Sequence, residues 1–247
     1  MRAVAACLAP VAALALAGGS AAVVGGSPDA GHPYAGAVFT PRALCSGAFV
    51  SRHAFLTAGH CFADGAAVAI TFGRVVSSAA GFATAAPTLA GTVHVDPRFC
   101  FACAPGMAAA DTHDVAVVVV GGAGFPGPYA ELPPVGLDGS LRTGQAVDVV
   151  GYGVSAIQAG TVLAFGTKEV ATTKLDAAGA LAGEFLKLQA GPGGCLGDSG
   201  GPNLLAGTDV LVAITAFSAG NPNCNGTSYS ERVDLAAEQA FVAGLSS

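Results

Sequence analysis

The chain contains no tryptophan, and only 11% of its 247 residues are charged. Disordered segments are charged and poor in apolar residues; here 52% of residues are hydrophobic, which excludes that class. The net charge is −6, and Lys and Arg form no cluster anywhere. A nucleic-acid-binding surface would need such a cluster. No repeat of fixed period occurs. Outside the N-terminus, no apolar run qualifies as a membrane-spanning helix of about 20 residues. Helical character is confined to Leu235 to Leu245, so the strand–helix alternation of an α/β protein is also missing.

The one long apolar stretch runs from Ala3 to Ala17 and is interrupted by Pro10. It is too short to span a bilayer. Arg2 precedes it, and the small residues Ser20, Ala21 and Ala22 follow it. Residues 1–22 therefore read as a secretory signal peptide. That implies a secreted, extracellular protein with no membrane association once the signal is removed.

Glycine is abundant, at 36 residues, beside 14 prolines. They break the apolar sequence into short runs, as an all-β protein requires. Strands are expected around Cys45 between Val38 and Val50, and at Val68–Phe72, Gly91–Val95 and the β-branched run Val115–Val120. A connector follows from Gly121 to Pro134. A second set of strands is expected at Gln145–Tyr152, Thr161–Thr172, Phe185–Gln189 and Val210–Ala216. The organisation is two β units, residues 23–125 and 126–247, with a terminal helix.

Cys7 falls in the signal, which leaves Cys45, Cys61, Cys100, Cys103, Cys195 and Cys224. An even number in an exported chain implies disulfides, in any of fifteen pairings. Metal binding is the rival reading for Cys100-x-x-Cys103, but a lone CxxC without a second pair is weak evidence for zinc. No acidic cluster marks a calcium loop.

Two separated segments carry chemistry. Gly197-Asp198-Ser199-Gly200-Gly201-Pro202 offers a serine on a glycine-rich turn. Leu56-Thr57-Ala58-Gly59-His60-Cys61 offers a histidine just after an apolar strand. A serine hydroxyl is a weak nucleophile until a base takes its proton, and His60 is the candidate base. Together with Cys45-Ser46-Gly47-Ala48 and Asp114-Val115-Ala116-Val117, these segments resemble the trypsin/chymotrypsin-like serine proteases over nearly the whole chain after residue 22. The resemblance implies an all-β fold of two six-stranded antiparallel β-barrels with a short C-terminal helix. It implies a secreted serine endopeptidase with a His60–Asp114–Ser199 triad. Asp111 competes with Asp114, which immediately precedes the β-branched run. His113 reads as a loop residue. The context of Ser199 is not the G-x-S-x-G elbow of α/β-hydrolases.

The same resemblance assigns further roles. The backbone N–H groups of Gly197 and Ser199 would form the oxyanion hole. Asp198 would pair with the amino terminus of a mature chain beginning at Val23. Disulfides would join Cys45 to Cys61 and Cys195 to Cys224, leaving Cys100 and Cys103 for a local bridge. In trypsin-like members an aspartate stands six residues before the serine; here that residue is Gly193. The specificity pocket, built from Gly193, Phe217, Ser218 and Thr227, should therefore prefer an uncharged P1 residue to Lys or Arg. Side chains at Ser218 and Thr227 would narrow it, although a one-residue shift would put Gly226 in place of Thr227. Ala216 replaces the family's serine beside the triad aspartate, and Phe217 and Tyr152 replace tryptophans. The expected partners are protein or peptide substrates and protein inhibitors; no cofactor or metal is called for, and the chain is expected to be a monomer. The rival reading is a catalytically idle binding protein on the same fold.

Overall fold

The computed structural model describes residues 23–78, 81–84, 88–100, 112–158, 161–176, 183–191, 193–218, 224 and 226–246. The expected signal peptide, Asp111 and Cys103 lie outside the described residues.

Six strands close the first barrel: β2 (Ala35–Thr40), β3 (Ala43–Phe49), β4 (Ala54–Thr57), β5 (Ala67–Thr71), β8 (Thr88–Val95) and β9 (Ala116–Val120). Their order around the barrel is β2-β3-β4-β9-β8-β5. β9 is the run Ala-Val-Val-Val-Val, and its β-branched residues pack well on a pleated surface. Phe49 stacks on Phe125 at 4.6 Å and meets Phe55 edge-on at 5.0 Å. Such aromatic pairs contribute about 0.5–1.5 kcal/mol each beyond the area they bury.

The second unit is a seven-stranded sheet rather than a six-stranded one. It is made of β1 (Ser27–Pro28), β10 (Ala146–Gly151), β13 (Glu169–Lys174), β14 (Phe185–Leu188), β15 (Pro202–Leu205), β16 (Leu211–Ser218) and β17 (Ser228–Arg232). The order is β1-β13-β10-β15-β16-β17-β14. An isolated bridge between Leu175 and Leu188 draws β13 and β14 together and curls the sheet toward closure. β1 lies outside that curl, so the start of the described chain is anchored in the second unit. The helix α1 (Ala236–Gly244) ends the fold. One apolar cluster joins the two units, with Leu204, Leu211 and Ile214 of the second packed among Phe49, Phe55 and Val117 of the first.

Two small hairpins complete the β structure: β6 (Val75–Ser78) with β7 (Gly81–Thr84), and β11 (Val154–Gln158) with β12 (Thr161–Phe165). The stretch Thr161–Thr172 is therefore two strands, not one. Gly166 separates them with φ +79°, and a Cβ there would overlap the Val75 carbonyl oxygen. Only glycine takes that backbone and that approach at no cost.

Candidate active site

His60 sits in a 3-10 turn, Gly59–Cys61, at the exit of β4. Asp114 precedes β9, the neighbour of β4 in the barrel, which brings the two side chains together. Asp114 is buried and gives both carboxylate oxygens to His60. Oδ2 lies 2.7 Å from His60 Nδ1, and Oδ1 accepts the His60 backbone N–H at 2.8 Å. A Cβ at Gly59 would stand 3.3 Å from Asp114 Oδ1 and from the Phe99 ring. Glycine at this position lets the carboxylate close in. Nδ1 faces Asp114, and His60 borders a cleft.

Ser199 is delivered by a turn wedged between the two units. Its carbonyl accepts the Ser46 N–H at 2.8 Å, and Gly200 donates to the Thr215 carbonyl at 2.7 Å. Gly200 has φ +77°, and a Cβ there would overlap Thr57 Oγ1 beneath the histidine turn. Ser199 and His60 line the same cleft, a cavity of about 340 Å³. A second cavity, about 520 Å³, continues on the far side of both residues toward Leu44, Phe82 and Phe165. Leu196 lines both cavities and is 73% exposed, an unusual position for a leucine.

Gly197 has φ +94°, and its carbonyl accepts Ser46 Oγ at 2.8 Å. Ser46 Oγ also accepts the Tyr152 N–H at 2.9 Å. Among the described residues, neither the Gly197 nor the Ser199 N–H has a protein acceptor. Both residues border the larger cavity. Sequence reasoning did not single out Ser46, because nothing local distinguishes it from any strand serine.

Asp198 is fully buried. Its carboxylate accepts the Gly153 N–H and the Cys195 N–H, each at 2.8 Å. Burial pushes its pKa up to about 8 and the nearby Glu169 adds to the rise, while the two backbone hydrogen bonds oppose it. Val23 is also fully buried, and Val24 bridges Gly193 on the floor of the second unit. Disulfides join Cys45 to Cys61 and Cys195 to Cys224, with Cα separations of 6.3 and 5.3 Å. Cys100 is disulfide-bonded too.

Of the four expected pocket residues, Phe217 and Ser218 line the smaller cavity, with Gly194, Cys195, Leu196, Thr215 and Ala216 around them. Gly193 and Thr227 do not line it. Phe217 is held by stacking on Tyr229 at 4.8 Å. Ser218 Oγ donates to the Gly194 carbonyl at 2.9 Å and lies 3.2 Å from the buried Ser228 Oγ. Asp96, His113 and Glu238, far apart in sequence, place ligand-type atoms within 4.8 Å of one another. Arg98 bonds both carboxylates of this group, so it forms an ion-pair network.

The profile of the Trypsin family matches residues 23–237, and the chain belongs to that family. Among solved structures, HL collagenase is 16% identical, with a TM-score of 0.63 over 86% of this chain and 94% of that one. A mutant of human heparin binding protein (CAP37) is 16% identical, with a TM-score of 0.68 over 90% of this chain and 95% of that one. At these identities the likeness establishes the fold alone. No protein of curated function matches the chain.

Proposed function

We propose that this chain is a secreted serine endopeptidase that works through an acyl-enzyme. The observation that carries the reading is the two-point hold of Asp114 on His60, beside a cleft that His60 shares with Ser199. With Nδ1 tied to Asp114, Nε2 is the nitrogen left to take the Ser199 proton. Ser199 Oγ then attacks the scissile carbonyl, and the imidazolium formed is stabilised by Asp114. The proton returns to the leaving amine as the acyl-enzyme forms. Water, deprotonated by His60, releases the second product. The Gly197 and Ser199 N–H groups are the donors available for the oxyanion; losing one such donor typically costs about 3–4 kcal/mol.

The pocket supports an uncharged P1 residue of small to medium size. The position of the trypsin-like aspartate is Gly193, and the Ser218 and Ser228 hydroxyls face each other nearby. Neither supplies the charge that would pair with Lys or Arg. Release of a free amine at Val23, by cleavage after Ala22, would give the buried Asp198 a cation. Asp114 is the triad aspartate in this reading, and Asp111 has no part in it.

The rival reading is an idle binding protein. One structural neighbour is named for heparin binding. This chain, at −6 and without a basic cluster, lacks the field that a polyanion needs. Fluorophosphonate labelling of the secreted protein, with Ser199→Ala as control and a P1-scanning peptide library, tests the proposal. Labelling that is lost in the variant, together with peptide cleavage, is the expected outcome. Absence of labelling in disulfide-bonded protein beginning at Val23 would favour the binding protein.

A further inference from the structure

Asp114 is carried by a segment with an unusual backbone. His113, immediately before it, has φ +44°, a left-handed conformation that side chains rarely adopt. Such conformations persist where surrounding contacts over-determine them. First-barrel backbone bonds hold the segment, with the Cys100 N–H on the Thr112 carbonyl and the Asp96 N–H on the Val115 carbonyl, each at 3.0 Å, and side chains from the other half of the molecule reach it as well. Glu238 on α1 faces His113 Nδ1 at 2.6 Å. Glu231 on β17 accepts the Thr112 hydroxyl at 2.9 Å and also the Asp114 backbone N–H.

Glu231 is fully buried, opposite Ile214 on β16 and Phe185 on β14. Its Oε1 has no hydrogen-bond partner among the described residues. Burial, with the Asp114 and Glu184 charges beside it, pushes its pKa up to about 9; the Thr112 and Asp114 hydrogen bonds oppose the rise. At neutral pH it is an uncharged acid, so it can sit beside Asp114 without repelling it. Ala216, next along the cleft on β16, has no side-chain donor to offer Asp114.

We propose that Glu231 is a positioning residue for the His60–Asp114 pair. It fastens Thr112 and Asp114 to the second unit, so that both oxygens of Asp114 remain on His60. The lever is position rather than charge. The catalytic consequence rests on the protease reading above; the geometric one does not.

The test uses the chain beginning at Val23, as wild type, Glu231→Gln and Glu231→Ala. The first readout is the downfield proton resonance of the His60 Nδ1–Asp114 hydrogen bond, which needs no turnover. The second is kcat and KM on a cleaved peptide. Glutamine keeps the size and an acceptor oxygen, so it should keep the resonance and stay within about threefold of wild-type kcat. Alanine should broaden or abolish the resonance and lower kcat at least ~10-fold, with KM changed little, because misplacing a catalytic group costs rate rather than binding. If Glu231→Ala does not fold, Thr112→Val removes only the hydroxyl contact and should move both readouts the same way, less far. An unchanged resonance and kcat in the alanine variant would overturn the proposal. So would a glutamine variant as impaired as alanine. If the wild type cleaves nothing, the protease reading fails while the resonance still decides the role of Glu231.

Discussion

Asp198 lies so close to Gly151 that a Cβ at position 151 would overlap its Oδ1. Gly153, two residues on, donates its N–H to the same oxygen, and a Cβ there would stand 2.6 Å from the Asp198 carboxyl carbon. Among the described residues, the hydrogen bonds to this carboxylate come from backbone N–H groups. Gly151→Ala should push Asp198 and the Gly197–Ser199 turn out of place. Overpacking of this kind costs about 1–3 kcal/mol. A lower melting temperature, with a larger proportional loss of kcat, is expected. A variant of wild-type stability and activity would show that the turn relaxes freely.

The same burial gives a pH dependence. In the full chain the Val23 nitrogen is a peptide nitrogen, and the pKa of Asp198 stands at about 8. An unfolded aspartate titrates near 3.9. The folded value is raised, so the folded state binds the extra proton, and stability falls as pH rises between those two values. The contribution is fully present below about pH 4 and exhausted above about pH 8. On the reading proposed above, a chain beginning at Val23 would present an ammonium to Asp198 and should lose this dependence. Urea unfolding of Ser199→Ala protein at pH 5 and pH 8, with and without residues 1–22, makes the comparison. Equal pH dependence in the two forms would show that the amine does not reach Asp198.

The segments that hold Ser199 and His60 are legible because their chemistry is local: a glycine-framed turn in one case, a strand exit in the other. The first barrel is legible for a similar reason, since β-branched runs such as Val115–Val120 announce a strand wherever they pack. Contacts between the units are not legible. Ser46, Glu231 and Glu238 act on the site across 100 residues or more of sequence separation. The seven-stranded sheet was equally hidden, because its seventh strand is two residues long and its curl depends on one bridge. Gly166 broke a run that composition presents as continuous. The acidic network at Asp96, His113 and Glu238 exists only in space, so no linear acidic cluster could reveal it.

Ser46 is a first-barrel residue that ties down the Gly197–Ser199 turn. It donates to the Gly197 carbonyl, accepts from the Tyr152 N–H, and receives the Thr57 hydroxyl on its own carbonyl at 2.7 Å. Ser46→Ala leaves the buried Tyr152 N–H unpaired, at a cost of about 1–3 kcal/mol, and removes the donor from the part-buried Gly197 carbonyl. The Gly197 peptide is then free to rotate its N–H away from the cleft. The expected outcome is a loss of kcat at least ~10-fold, as for removal of a weak oxyanion donor, with KM nearly unchanged. Single-turnover acylation by an activated ester measures it directly. Wild-type acylation in Ser46→Ala would mean that the turn holds its shape without the serine.

The pocket can be made to change its preference. A Cβ at Gly193 would lie 3.2 Å from Ser228 Oγ, tight enough that the serine must give slightly but without backbone in the way. Gly193→Asp would therefore place a carboxylate where Ser218 and Ser228 already supply hydroxyls to receive it. Ion pairing with a P1 Lys or Arg in a partly desolvated pocket is strong discrimination, because the alternative leaves the charge unpaired. Cleavage after Lys or Arg should rise at least ~10-fold in kcat/KM, and cleavage after small apolar residues should fall. Ser218→Gly acts in the other direction. It removes the side chain bonded to the Gly194 carbonyl, widens the slot beside Phe217, and should admit aromatic P1 residues. A P1-scanning library run on both variants reads the two effects together. An unchanged profile in Gly193→Asp would mean that P1 side chains never reach position 193, and that Ser218 and Phe217 alone set the depth of the pocket.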